Sequence, residues 1–318
     1  MDKALACLTR LRVGHSKGRP APNKPCLLLA ILCEIQAGHI TSPRVAIDDR
    51  LIARYHDLYE LAAGARREAR PWLPLWFLAS DRGPDGEAGS LWRPALAPAL
   101  AEVADQLGAP GSLDQLLKRF DTASLHPALY ARLGSEEATR EAGALLIARY
   151  FAWSPNAQAR LHDYLEDAFA SGVYEKAPER LKGPEGDSPR QARARSAAFR
   201  SLVLEAYDYR CAASRLRYIT PDYRYLVEAA HLVPFAESQD DRPVNGIALT
   251  PNLHWAMDNL LIAPGPDHRW HVSPSVDALV PDSRWLCELD RQPLVLPRDT
   301  RWQPDRDALA WRLDQLRC

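Results

Sequence analysis

The sequence predicts an α+β protein of two domains. Three observations predict it. The first half of the 318-residue chain carries apolar runs of helical period, separated by short aromatic stretches broken by proline. A segment from Lys176 to Pro189, rich in Gly, Pro and charge, has no period at all and reads as a linker. Beyond it, two short apolar strands and a helix follow one another closely. Domain bounds of 1–165, a linker at 166–189 and a second domain at 190–318 follow, which suits the usual size of domains.

The elements come in this order. Pro25 to Ile35 is a buried helix, with Pro in its first turn and Gly38 just past its end. Asp48 to Ala63 is a second helix, because Leu51, Ile52, Tyr55, Leu58 and Tyr59 recur at helical spacing. Pro71 to Leu78 reads as an edge strand and its approach, Ser80 to Gly86 as a turn, and Ser90 to Trp92 as the returning strand. Helices follow at Leu113–Arg119 and Glu136–Phe151. After the linker, a helix runs through Phe199, Val203 and Tyr207. Tyr225 to Val233 is then a largely apolar strand, Gln239 to Pro243 a loop, and Gly246 to Leu249 the returning strand. Thr250 is suited to cap a helix with Pro251 at its first position. That helix stacks His254 and Asp258 on one face, four residues apart, and Ile262-Ala263-Pro264 ends it. Pro293–Pro297 and a helix over Asp305–Leu316 wrap this second domain.

Composition excludes several classes. A hydrophobic fraction of 47% and a charged fraction of 25% describe a globular protein. No run approaches the roughly 20 apolar residues of a membrane span, and Met1-Asp2-Lys3-Ala4 lacks a secretory pattern. A cytoplasmic protein with no membrane partner is expected. The net charge of −1 advertises no global affinity for nucleic acid, so any such footprint is local. The six cysteines form no CxxC pair; Cys26, Cys33 and Cys211 read as packed thiols.

The chemistry gathers in the second domain, where His231, Asn245, His254 and Asp258 succeed one another at intervals of 14, 9 and 4 residues. Hydrolysis of a phosphodiester needs an activated water on one side and a stabilised leaving oxygen on the other. A histidine titrating near neutrality suits the first task, and His231 takes it. A His and a carboxylate on one helix face suit the second, because together they can hold a divalent cation. Asn245 is neutral and bidentate, able to orient His231 or to pin the loop. The residues E-A-A-H, N-G-I-A-L and H-W-A-M-D closely resemble the HNH endonuclease family. That resemblance implies a ββα-metal fold, DNA as substrate and one divalent cation, Mg²⁺ or Mn²⁺ with other transition metals admissible. It also implies a general base at His231, the family's Asn at Asn245, and metal ligands at His254 and Asp258. Many members carry a further ligand directly before the base, where this chain has Ala230. Glu228 has the right chemistry but lies three residues earlier, on the opposite face of a regular strand. It is a weak ligand candidate, with a supporting role behind the ligands favoured. One hairpin attacks one strand, so a homodimer is expected for double-strand cleavage.

Arg190, Arg193, Arg195 and Arg200 precede the hairpin. They are either a solvated helix face or, as favoured here, contacts to backbone phosphates. Trp255 and Leu260 read as helix core.

In the first domain, A-P-N-K-P-C-L-L-L at residues 21–29, with P-L-W at 74–76, resembles the DNA sulfur-binding domain of modification-dependent restriction endonucleases. The resemblance implies recognition of phosphorothioated DNA through an apolar socket containing Pro74, with Phe77 or Leu73 as its wall and Arg19 and Lys24 as phosphate clamps. A soft, weakly hydrated sulfur would gain from such a socket, whereas an oxygen would lose its hydration. The residue after Ala-Pro is Asn23 where the family often has His, and Phe77 is bulky for a socket wall. The architecture expected is a mixed α/β DNA-reading domain followed by an HNH nuclease. Two rivals remain: an HNH nuclease reading unmodified or base-modified DNA, and a DNA-binding regulator whose nuclease is inactive.

Overall fold

The computed structural model describes residues 2–16, 18–103, 106–183, 188–277 and 279–317. Two compact units divide the chain: Met1–Val173 with Pro221–Tyr223, and Tyr174–Thr220 with Arg224–Cys318. Among the described residues no helix is long and apolar enough to cross a membrane.

The first unit is built around the helix Asn23–Gln36, every residue of which from Lys24 onward is buried. A helix apolar all round must be covered on all sides, and the helices Asp49–Ala63 and Glu136–Tyr150 pack on it. Asp48 caps the first of these through Leu51 N, and Gly64 ends it in the left-handed conformation at φ 78°. Glu34, like Lys24 on the same helix, is a charged residue inside the core. Burial alone would raise its carboxyl, but Arg54, His39 and Arg50 outweigh burial and hold it at about 2. A three-stranded antiparallel sheet completes the unit, with Thr122–Leu125 between Arg44–Ala46 and Trp92–Pro94.

The edge strand expected at 71–78 is not a strand. Trp72–Phe77 is an α-helix, followed by a 3-10 turn at Leu78–Ser80. Pro74 lies in the first turn, where its missing N–H would have no helical partner anyway. Pro71, Pro74, Leu75 and Leu78 are all buried, and their spacing is that of one helix face. The linker expected at 166–189 is likewise shorter. The helix Pro155–Lys176 continues through its first part, and Pro178–Leu181 forms a turn that buries Leu181; residues 184–187 fall outside the described residues.

The second unit opens with the helix Pro189–Ala206, held by a reciprocal cap between Ser188 and Gln191. The strands Glu228–His231 and Gly246–Leu249 pair antiparallel, with Glu228 opposite Leu249 and His231 opposite Gly246. The helix Pro251–Asp258 follows. Thr250 stands at its cap position, yet its hydroxyl donates to Asn252 Oδ1 at 2.7 Å instead of capping. Ile262–Pro264, expected to close the helix, is a strand paired with Trp270–Val272. The C-terminal helix Arg306–Asp314 buries Leu309 in the same core as Val203, Cys211, Ile247 and Met257.

Candidate active site

Two groups of side chains form on the hairpin. Successive residues of a strand point to opposite faces, so Glu228 and His231 diverge. His231 faces the helix Pro189–Ala206. Its ring stacks on Phe199 with centroids 4.0 Å apart and planes 7° from parallel. Gly246, directly across the ladder, is bare because a Cβ there would lie 2.4 Å from Val203 and 2.7 Å from Phe199. The residue that holds His231 is Asp241, with Oδ1 2.8 Å from Nε2. Asp241 is itself buried, takes a backbone bond from its N–H to Leu181 O, and lies 3.7 Å from Arg195 Nε. A carboxylate on Nε2 fixes the neutral tautomer with its proton there and leaves Nδ1 able to accept one. Asp241 lies in the stretch read as a plain loop, and nothing but its residue type signalled it.

No side-chain hydrogen bond joins Asn245 to His231 among the described residues. Asn245 is buried, and its amide donates to Val233 O at 2.9 Å and Asp240 O at 2.8 Å while its oxygen accepts from Val233 N at 2.9 Å. Of the two roles the sequence allows, it takes the second and pins the loop that carries Asp241. The same strand is fastened from the far end of the chain. The buried Arg312 donates to Leu232 O at 2.6 Å and to His231 O at 3.0 Å.

On the other face, His254 sits between two carboxylates. Its Nδ1 is 2.9 Å from Glu228 Oε2, and its Nε2 is 3.3 Å from Asp258 Oδ2. No hydrogen bond or ring contact joins His254 or Asp258 to His231 among the described residues. The side chains thus form two hydrogen-bonded groups, His231 with Asp241 and His254 with Glu228 and Asp258. Among the described residues no cluster of three or more His, Cys, Asp or Glu is arranged as a finished metal cage. The geometry gives the reason. Glu228 and Asp258 approach opposite nitrogens of one ring, so both cannot share a cation with it. Two ligands of a small divalent ion, each about 2.1 Å from it at a right angle, stand about 3 Å apart. The His254–Asp258 pair fits that spacing, and Glu228 lies on the opposite nitrogen of the ring, where it could orient the imidazole.

The arginine row divides by helix angle. At about 100° per residue, Arg190, Arg193 and Arg200 fall on one side of their helix, and all three are exposed. Arg195 falls on the other side. It is buried, donates to Leu181 O at 3.1 Å and lies over the Phe235 ring, so it does not serve phosphate. Trp255, expected in the core, is 62% exposed.

In the first unit, a cleft of about 410 Å³ is lined by Ala21, Asn23, Lys24, Leu73, Pro74 and Phe77 among others. Leu73, Pro74 and Phe77, named from the sequence, line this cleft, although a helix and not a strand presents Pro74 and Phe77. Lys24 is not available as a clamp. It is buried, with Nζ 2.5 Å from Asp81 Oδ2, so its charge is already matched. Arg19 is exposed and lies over the Trp153 ring. Arg12, exposed at the cleft, was not apparent from the sequence.

Comparison with known proteins places these features. Residues 211–263 match the model of an HNH endonuclease family, HNH_2. Among solved structures, one titled "Modification dependent TagI restriction endonuclease" is similar at a TM-score of 0.31 and 21% identity, over 38% of this chain and 38% of that one. The likeness therefore spans well under half of that enzyme's length. No curated protein matches the chain. The hairpin, its helix and the family match together establish that the chain carries a C-terminal HNH endonuclease domain.

Proposed function

We propose that the chain is a metal-dependent DNA endonuclease whose first unit selects phosphorothioated DNA. The observation that carries the nuclease reading is a carboxylate-held histidine, His231–Asp241, on the hairpin, together with a His–carboxylate pair, His254–Asp258, on the helix that follows it. His231 Nδ1 takes the proton of the attacking water. Asp241 keeps the ring in the accepting tautomer and stabilises the imidazolium that results. Glu228 keeps His254 Nε2 directed to the cation. A divalent cation, Mg²⁺ or Mn²⁺, bound there supplies charge stabilisation to the phosphate and the leaving 3′ oxygen. Phe199 limits the motion of the base, and Arg190, Arg193 and Arg200 hold neighbouring phosphates. Two copies, arranged as a dimer, serve a double-strand cut.

The sulfur reading rests on the cleft beside Pro74, whose walls include Ala21, Leu73 and Phe77. Arg12 takes the place of Lys24 beside Arg19 in the role of phosphate contacts. Its size favours a second reading: about 410 Å³ lies in the range of pockets that take a whole small molecule, so a modified base turned out of the helix would also be accommodated. One experiment separates them. Plain, phosphorothioated and base-modified duplexes of one sequence are digested with Mg²⁺, with Mn²⁺ and with chelator. Preferred cutting of the sulfur-bearing duplex supports the first reading, and preference for a modified base supports the second. Equal cutting of all three removes both, while cutting that survives chelation removes the metal.

A further inference from the structure

The helix that carries the cation pair presents a second group to solvent. Leu253, Ala256 and Met257 face the core. Trp255 does not, and stands 62% exposed. Its indole has no ring, guanidinium or hydrogen-bond partner among the described residues. On the helix, Asp258 lies one turn along on the adjoining face and His254 one position before. Asn252 and Asn259 flank the indole at three residues before and four after. Asn259 is tied to Trp255 O at 2.9 Å, and Asn252 to the Thr250 hydroxyl at 2.7 Å. A large apolar ring is thus held out on a short, ordered helix within a turn of the cation ligands. Of the nine tryptophans, Trp92 and Trp270 are wholly buried, and Trp285, outside this helix, is 51% exposed.

We propose that Trp255 stacks on a nucleobase beside the scissile phosphate, so that the domain cuts at a base step it has partly opened. The inference rests on the nuclease reading above. Anything bound to the His254–Asp258 cation through a phosphate brings its bases within reach of the same helix face. Every base offers a π-face, so such a contact supports binding without fixing sequence. A wedge of this kind also bends the duplex toward the protein.

The test uses the full-length chain. First, Trp255→Ala should cut a duplex on the order of ten- to a hundred-fold more slowly than wild type, the scale of one lost base–aromatic stack, and Trp255→Phe should stay within about threefold. Second, non-cleaving His231→Ala protein is irradiated with DNA bearing 5-iodouracil in place of thymine throughout, and the cross-linked peptides are mapped. The expected cross-link is at Trp255. Cross-links confined to other residues, or a wild-type rate for Trp255→Ala, overturn the proposal. A Trp255→Ala protein that sediments as a monomer where the wild type is a dimer also overturns it, because the ring would then belong to a subunit interface. Should the wild type cut no DNA with any cation, the nuclease reading fails; the cross-link needs only bound DNA and still decides the stacking.

Discussion

Replacing Asp241 by Ala removes the carboxylate that is hydrogen-bonded to His231, the proposed base. The carboxylate accepts a 2.8 Å bond from His231 Nε2 in a largely buried setting and faces Arg195 Nε at 3.7 Å. A hydrogen bond to a charged group is worth roughly 1.5–3 kcal/mol. If that difference is expressed where the imidazolium forms, cleavage slows by roughly 10- to 150-fold. DNA affinity should stay unchanged, because Asp241 is buried and the guanidinium beside it, Arg195, is buried as well. Asp241→Asn keeps an acceptor of the same size but loses the charge, so it should fall between wild type and Ala. The assay is single-turnover nicking of supercoiled plasmid at fixed cation, with binding measured in parallel by anisotropy. Nitrogen chemical shifts of His231 report the tautomer independently. A folded Asp241→Ala protein that nicks within twofold of wild type would refute the reasoning, and so would an equal loss of binding and rate.

Other expectations follow from the same geometry. His231→Ala should abolish cleavage and leave DNA binding intact, whereas Asp258→Ala should abolish cleavage and also weaken Mn²⁺ binding measured calorimetrically; near-normal cutting by either variant removes its assigned role. Gly246→Ala places a methyl 2.4 Å from Val203 and 2.7 Å from Phe199, about 1 Å inside ordinary contact, and should destabilise by about 1–3 kcal/mol while slowing cleavage through the displaced ring; an unchanged melting temperature contradicts this. Glu34, depressed from 4.5 to about 2, contributes stability that is complete above pH 4.5 and is lost as pH falls toward 2. That amounts to about 3 kcal/mol. Urea titrations across this range should show the acid slope in the wild type and lose it in Glu34→Gln.

The parts legible in the sequence are those written in periodicity and local chemistry. Gly246 to Leu249, Pro251 at the head of its helix and the buried run from Pro25 to Ile35 each declare themselves by pattern. Pro74 misleads because a proline between tryptophans reads as a breaker, although the spacing of Pro71, Pro74, Leu75 and Leu78 already described a helix. Arg195 could have been separated from its neighbours by angle alone, since Ala198 and Phe199 mark the buried side. Asp241 and the pairing of Lys24 with Asp81 could not be seen, because each is a meeting of residues that only the folded chain brings together. Trp255 was assigned to the core on residue type, which the exposed face of a short helix overrules.

Arg312 changes what counts as the nuclease. The family match ends at residue 263, yet the carbonyls of His231 and Leu232 are tied by a guanidinium almost fifty residues further on. A fragment trimmed at the edge of the match would keep all four signature residues and still leave those carbonyls without their donor. It would also open a gap where Leu309 had been. A frameshift or a proteolytic nick in the last helix would then present as a failed catalyst with an intact signature. Any survey that grades such chains by motif alone would score that lesion as active.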